Sequence, residues 1–112
     1  RGDGYDTYGY LHYVMRNYQE AADAFQMAID KGNLSNRADT LLFLARALIE
    51  LDDFEGAKEA ATQSADAGGE SERRSATDYI TFIESTESRF NIIAERRQDA
   101  IDFYEPYPSL ID

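Results

Sequence analysis

Two stretches of this sequence share one pattern at positions thirty-six residues apart. Asn17-Tyr18-Gln19-Glu20-Ala21 and Asp53-Phe54-Glu55-Gly56-Ala57 each run polar residue, aromatic, two further residues, alanine. Extending the register pairs Phe25 with Ala61, Ala28 with Ser64, Tyr8 with Leu44 and Gly9 with Ala45. A period of this size confines the chain to stacking copies of one small unit, because a single unit cannot bury its own apolar face. The unit is helical. The only prolines, Pro106 and Pro108, sit at the C-terminal end, so residues 5–104 contain no obligatory helix breaker. β-Branched residues are scattered, whereas Ala, Leu, Glu and Arg are frequent.

Apolar spacing and capping signals divide the chain. Residues 5–16 read as a first helix. A second runs from Tyr18 to about Lys31, with Ala21, Ala22, Phe25, Ala28 and Ile29 in phase, and Gly32-Asn33 ends it. Ser35 or Asn36 caps a third helix bearing Leu41, Leu44, Ala45 and Leu48. Phe54 to Ala67 forms a fourth, stopped by Gly68-Gly69. Ser71, followed by Glu72, opens a fifth, with Ala76, Tyr79, Ile80 and Ile83 on one side. The stretch from Ser88 to Tyr104 is again helical, with Phe90, Ile93, Ala94, Ile101 and Tyr104 as its apolar set. Two readings of Ser85-Thr86-Glu87-Ser88 stand side by side: a break between two helices, or one long helix running through. Glu105-Pro106-Tyr107-Pro108 is expected to be extended, since each proline disfavours helix at the residue before it.

Composition narrows the function classes. The 112 residues carry 22 acidic and 11 basic side chains, a net charge of −11, with a pI near 4.4. Without a basic cluster, nucleic acid and anionic membranes are poor partners, and no nucleic-acid ligand is expected. No apolar run reaches the roughly 20 residues of a membrane span, so membrane insertion is not expected. A hydrophobic fraction of 43% is enough for a packed core and too high for a disordered acidic tail. There is no cysteine, hence no disulfide, thiolate chemistry or Cys-ligated zinc. Of the basic residues only Lys31 and Lys58 are lysines. That bias fits either a high-salt cytoplasm or a GC-rich genome. The chain opens on Arg1 and a Gly2-Asp3-Gly4 linker pattern, which reads as a piece of a longer protein.

The spacing, with small residues where two helices cross and aromatics Tyr18 and Phe54 at the corners, resembles the tetratricopeptide repeat (TPR) family over residues 3–67, with a less regular continuation to about 84. Gly9, Ala21, Ala28, Ala45 and Ala57 are the small positions that allow close approach. His12 departs from the pattern, standing where the family often has Tyr, and residues 70–104 lack the small-residue register. A narrower resemblance, carried by Asp30-Lys31-Gly32-Asn33-Leu34, Arg37-Ala38-Asp39 and Leu42-Phe43-Leu44-Ala45-Arg46-Ala47-Leu48, is to the C-terminal repeats of TPR proteins that accompany TonB energy-transducing systems in Gram-negative bacteria. The resemblance implies an all-α, TPR-like antiparallel helix-pair solenoid. Its repeat 1 spans about 3–32 and its repeat 2 about 36–68, followed by capping helices at 71–104 and a tail at 105–112. It further implies a non-enzymatic scaffold whose concave groove receives a peptide or partner helix. Carried over position by position, the partner-binding residues are Asp6, Tyr10 and Tyr13 on the first helix, and Leu42, Arg46 and Ile49 on the third. The subclass that grips a C-terminal carboxylate uses Lys and Asn where this chain has Asp6 and Tyr10, so its acidic-tailed ligands are disfavoured. An apolar or basic peptide suits the groove.

No feature argues for an enzyme, cofactor or metal. His12 is the only histidine, so no triad or His-based metal site can be built, and it reads as a packing residue. Carboxylate pairs such as Glu84 and Glu87 read as a solvated helix face. Arg1-Gly2-Asp3 and Asn33-Leu34-Ser35 spell an integrin tripeptide and a glycosylation sequon, both read as chance matches. Arg73-Arg74 and Arg96-Arg97 are expected to pair with Glu on adjacent turns. Five of eight tyrosines fall within the first 18 residues. Tyr5, Tyr8 and Tyr18 are expected in the core, and Tyr10 and Tyr13 on a binding surface. Phe103, Tyr104, Tyr107, Leu110 and Ile111 are more apolar than a free tail requires. The segment reads either as a lid that packs into the chain's own groove or onto a neighbouring copy, or as a linker to a further domain. Packing onto a copy gives an alternative role, a structural module that self-associates, as a homodimer, through its C-terminal helix and tail. The sequence leaves the compartment, cytoplasm or bacterial periplasm, undecided.

Overall fold

The computed structural model describes residues 2–104, and five α-helices account for nearly all of them. These are α1 (Asp3–Val14), α2 (Tyr18–Lys31), α3 (Arg37–Glu50), α4 (Phe54–Ala67) and α5 (Glu70–Tyr104). Each helix packs on the next through a short connection, so α1 and α2 form one antiparallel pair and α3 and α4 a second. α5 lies against α4 and closes the stack. The fold is all-α, a short solenoid of helix pairs with a C-terminal capping helix.

The observed helices begin and end within two residues of the expected positions, and Asn36 is the cap of α3, its side chain accepting from the Asp39 amide at 3.1 Å. Of the two readings of Ser85–Ser88, the structure takes the continuous one. α5 is a single helix of 35 residues, about 52 Å at 1.5 Å per residue. That length dominates the 59 × 27 × 19 Å outline. The radius of gyration is 17.8 Å, where a spherical domain of this size would have about 13 Å.

The thirty-six-residue spacing is written into the backbone as well as the side chains. Arg16 and Asp52, one period apart, both take left-handed conformations with φ of 64° and 60°. The hydrogen bonds around them repeat. Arg16 N–H donates to Tyr13 O and Asn17 N–H to His12 O; Asp52 N–H donates to Ile49 O and Asp53 N–H to Leu48 O. The same turn therefore closes both helix pairs. The caps differ in strength: Asp53 accepts from the Gly56 amide at 2.9 Å, whereas the Asn17 side chain caps nothing and meets His12 Nδ1 at 3.2 Å.

Helix crossings occur at the small residues. Ala21, Ala28, Ala45, Ala57 and Ala61 are fully buried. Gly9 is buried against Phe25, where an added Cβ would stand 2.8 Å from the ring. The two pairs solve one volume problem in different ways: glycine beneath phenylalanine in the first, Ala45 and Ala61 at the corresponding places in the second. Phe25 is wholly buried and stacks on Phe43, 5.8 Å between ring centres, joining the two units into one core. The buried hydroxyls are satisfied. Thr40 Oγ1 donates to Asp6 at 3.0 Å, and Ser64 Oγ donates to the Ala38 carbonyl at 2.6 Å.

One expected core residue is on the surface. Tyr8 is 54% exposed and stands edge-on to His12, although its counterpart Leu44 is buried. Leu44 is covered because α2 packs on α3; among the described residues no helix precedes α1 to do the same for Tyr8. The extended reading of Glu105-Pro106-Tyr107-Pro108 lies outside the described residues.

Candidate functional site

The first helices of the stack, α1 and α3, and the first half of α5 share one face, and their aromatic side chains meet there. Tyr10 and Tyr13 of α1 each stand edge-on to Phe43 of α3, with centroids at 5.4 and 5.9 Å. Tyr13 also meets Tyr18 at 5.7 Å. On α5, Tyr79 stacks with Phe82 at 5.4 Å. Arg46 bridges the two groups, its guanidinium carbon 5.2 Å from the Phe43 centroid and 5.7 Å from that of Tyr79. A cation held between two ring faces is attracted by both quadrupoles, and the rings keep the guanidinium plane in place. Beside it lies a shallow hollow of about 510 Å³ lined by Tyr13, Arg46, Ile49, Glu50, Asp52, Tyr79, Phe82 and Thr86. A smaller polar crevice of about 330 Å³ lies between α2 and α4, bordered by glutamines and carboxylates and lacking any aromatic ring.

Burial alters the phenols that wall the hollow. Desolvation is the main cause that pushes Tyr79 up to about 12, with Tyr13 and Glu50 adding to it and Arg46 opposing. Desolvation likewise raises Tyr13, opposed by Arg46 and helped by Glu50 and Tyr18. Both phenols are therefore neutral hydrogen-bonding groups throughout the physiological range. The floor is apolar, the walls carry hydroxyls, and the charges are one Arg against Glu50 and Asp52. This arrangement can hold an apolar side chain beside a polar or cationic one. Nucleophile, base and orienting group do not come together here. Among the described residues no cluster of His, Asp and Glu is placed to hold a metal ion.

The six residues carried over from the repeat pattern fall into two sets. Tyr13, Arg46 and Ile49 line the hollow, and Tyr10, 50% exposed, adjoins it through Phe43. Asp6 is occupied in holding the Thr40 hydroxyl, a strut between α1 and α3. Leu42 and Ile49 are each 9% exposed; Ile49 borders the hollow, whereas Leu42 lies outside its lining.

The hollow is also bordered by Glu50, Asp52, Tyr79, Phe82 and Thr86, and Phe43 packs beside it. A signal for two of them was present. Tyr79 stands thirty-six residues after Phe43, and Phe82 thirty-six after Arg46, which itself stands thirty-six after Tyr10. Extending the register one unit further would have placed both on the groove face. Compared with protein-family models, with curated proteins and with solved structures, the chain matches none. Among the described residues no helix is long and apolar enough to cross a membrane.

Proposed function

We propose that the chain is a TPR-like, non-enzymatic adaptor that binds an apolar or basic peptide, or a partner helix, in the hollow formed by α1, α3 and α5. The observation that carries this reading is the aromatic band with Arg46 clamped between Phe43 and Tyr79. Tyr and Phe supply large contact area with few rotors to immobilise, and an ordered Arg costs little further entropy on binding. Tyr10 and Phe82 stand about half exposed at the two ends of the band, where a ligand would reach them first. The acidic surroundings, in a chain of net charge −11, favour a ligand with Lys or Arg beside its apolar anchor.

Selection of displayed dodecapeptides against the purified chain tests the proposal. Enriched sequences are expected to combine aromatic or aliphatic anchors with basic residues. Tyr10→Ala and Phe82→Ala should each weaken a selected peptide at least tenfold while the helical circular dichroism stays unchanged. Enrichment of acidic peptides, or affinity indifferent to both substitutions, would overturn the reading.

A further inference from the structure

α5 carries one continuous packing stripe of which the stack uses only half. Ala76, Ile80, Ile83, Glu87, Phe90, Ala94, Arg97 and Ile101 follow one another at alternating steps of four and three residues, the spacing that keeps one seam of a helix facing a partner helix. The first four are occupied. Ala76 and Ile83 are fully buried, Ile80 packs on the core, and Glu87 accepts from Lys58 Nζ at 3.0 Å. At Phe90 the ring still reaches Phe54, 5.2 Å between centroids. Beyond it every residue from Asn91 to Phe103 is exposed, including Ile93 at 67% and Ile101 at 39%. A ledge of about 22 Å thus projects past the stack with its seam bare.

Among the described residues nothing folds back over this seam. Phe90 stands thirty-six residues after Phe54, where a third turn would be due. The cap positions Asn17 and Asp53 are followed at that interval by Arg89, which has no acceptor to offer a helix N-terminus, and α5 runs straight through. The face of α5 corresponding to the Leu41, Ala45 and Leu48 face of α3 is Thr77, Thr81 and Glu84, all exposed and polar. A hairpin closing there would have nothing apolar to pack upon.

Charge points to the occupant. From Ser88 to Tyr104, Arg89, Arg96 and Arg97 offset Glu95, Asp99 and Asp102, so the whole net charge of −11 lies elsewhere in the chain. The ledge is the one long stretch of α5 on which two copies can approach without mutual repulsion. A parallel pairing would bring the acidic stacks side by side and set Arg97 against its own copy. An antiparallel pairing sends the stacks to opposite ends and matches alternate seam positions, Phe90 with Ile101 and Ala94 with Arg97. The small Ala94 then leaves room for the Arg97 stem to lie along the seam with its head in water. We propose that two copies of this chain pair antiparallel through the Phe90–Ile101 seam of α5, forming a dimer with a groove at each end.

A seam this short supports self-association in the micromolar-to-millimolar range. Sedimentation velocity of the full chain from about 5 µM to about 1 mM should show monomer giving way to dimer. Ile101→Glu should shift the midpoint at least tenfold upward, with circular dichroism reporting an intact fold. Because the chain has no cysteine, Phe90→Cys and Ile101→Cys provide single reporters. Mixed and mildly oxidised, they should give the heterologous disulfide; either variant alone should not, since like positions lie about 16 Å apart in this register. Monomer at every concentration would overturn the proposal. So would homologous disulfides, which mark a parallel pair, or dimerisation indifferent to Ile101→Glu, which marks another surface. Tyr10→Ala and Phe82→Ala should leave the dimer intact, which keeps this test separate from that of the groove.

Discussion

The two halves of α5 differ in cover, not in pattern. Before Phe90 the seam packs beneath α4 and is tied to it by Lys58, which pairs with Glu87 at 3.0 Å; after it the same spacing continues into water. Set against the closed pairs α1–α2 and α3–α4, the contrast shows what a helix turn requires. An aromatic at the right interval is not sufficient. A capping residue must release the chain, and an apolar face must receive it; Arg89 and the Thr77–Thr81–Glu84 face supply neither.

The largest effect expected on this comparison comes from the core shared by the closed pairs. Phe25→Ala should cost about 3–5 kcal/mol in urea unfolding, since the ring is wholly buried between Gly9 and Phe43. Gly9→Ala should cost about 1–3 kcal/mol by overpacking against that ring. Combining the two copies the Ala45–Ala61 solution into the first pair. A double cycle should then show the glycine penalty largely vanishing once the ring is gone.

Caps come next. Asp53→Ala should lose about 1 kcal/mol, whereas Asn17→Ala should lose less, because only Asp53 bonds the amide of its helix. Equal losses at both sites would show that side-chain capping does not distinguish the turns. The paired substitution Ser88→Gly with Arg89→Asp should sharpen the contrast with α5. Amide exchange at residues 87–91 should speed up as a turn becomes available, without a stable third hairpin, since the receiving face stays polar.

The last effect is confined to alkaline pH and concerns the phenols. An exposed tyrosine ionises near 10 and Tyr79 near 12. Folding therefore holds a proton that the unfolded chain has already released between those values, and stability falls as pH rises through that window. Tyr79→Phe should abolish the last step of the ultraviolet phenol titration and flatten the decline in stability from about pH 10 to 12. A wild-type titration with no step near 12 would show that the hollow is wetter than its packing implies.

Much of this architecture was legible in local chemistry. Small residues at Gly9, Ala21, Ala45 and Ala57 announced the crossings, and Gly32, Asn36, Asp53 and Gly68 marked the helix ends. The groove was legible in part. Tyr13, Arg46 and Ile49, expected on one groove, border a hollow with Tyr79 and Phe82, whose places follow only when the register is carried past the second unit. Tyr8 shows why the rest was not: its spacing is helical, yet which side of a helix is covered depends on what packs there.

The sequence by itself determined the helices, their pairing interval and the acidity of the surface, because each rests on interactions within a few turns or on a simple sum of charges. Tertiary structure alone decided that Asp6 serves as a strut, that Arg46 is held between Phe43 and Tyr79, and that α5 outruns the stack. Those outcomes depend on which surfaces cover one another, and burial is a property of neighbours distant along the chain.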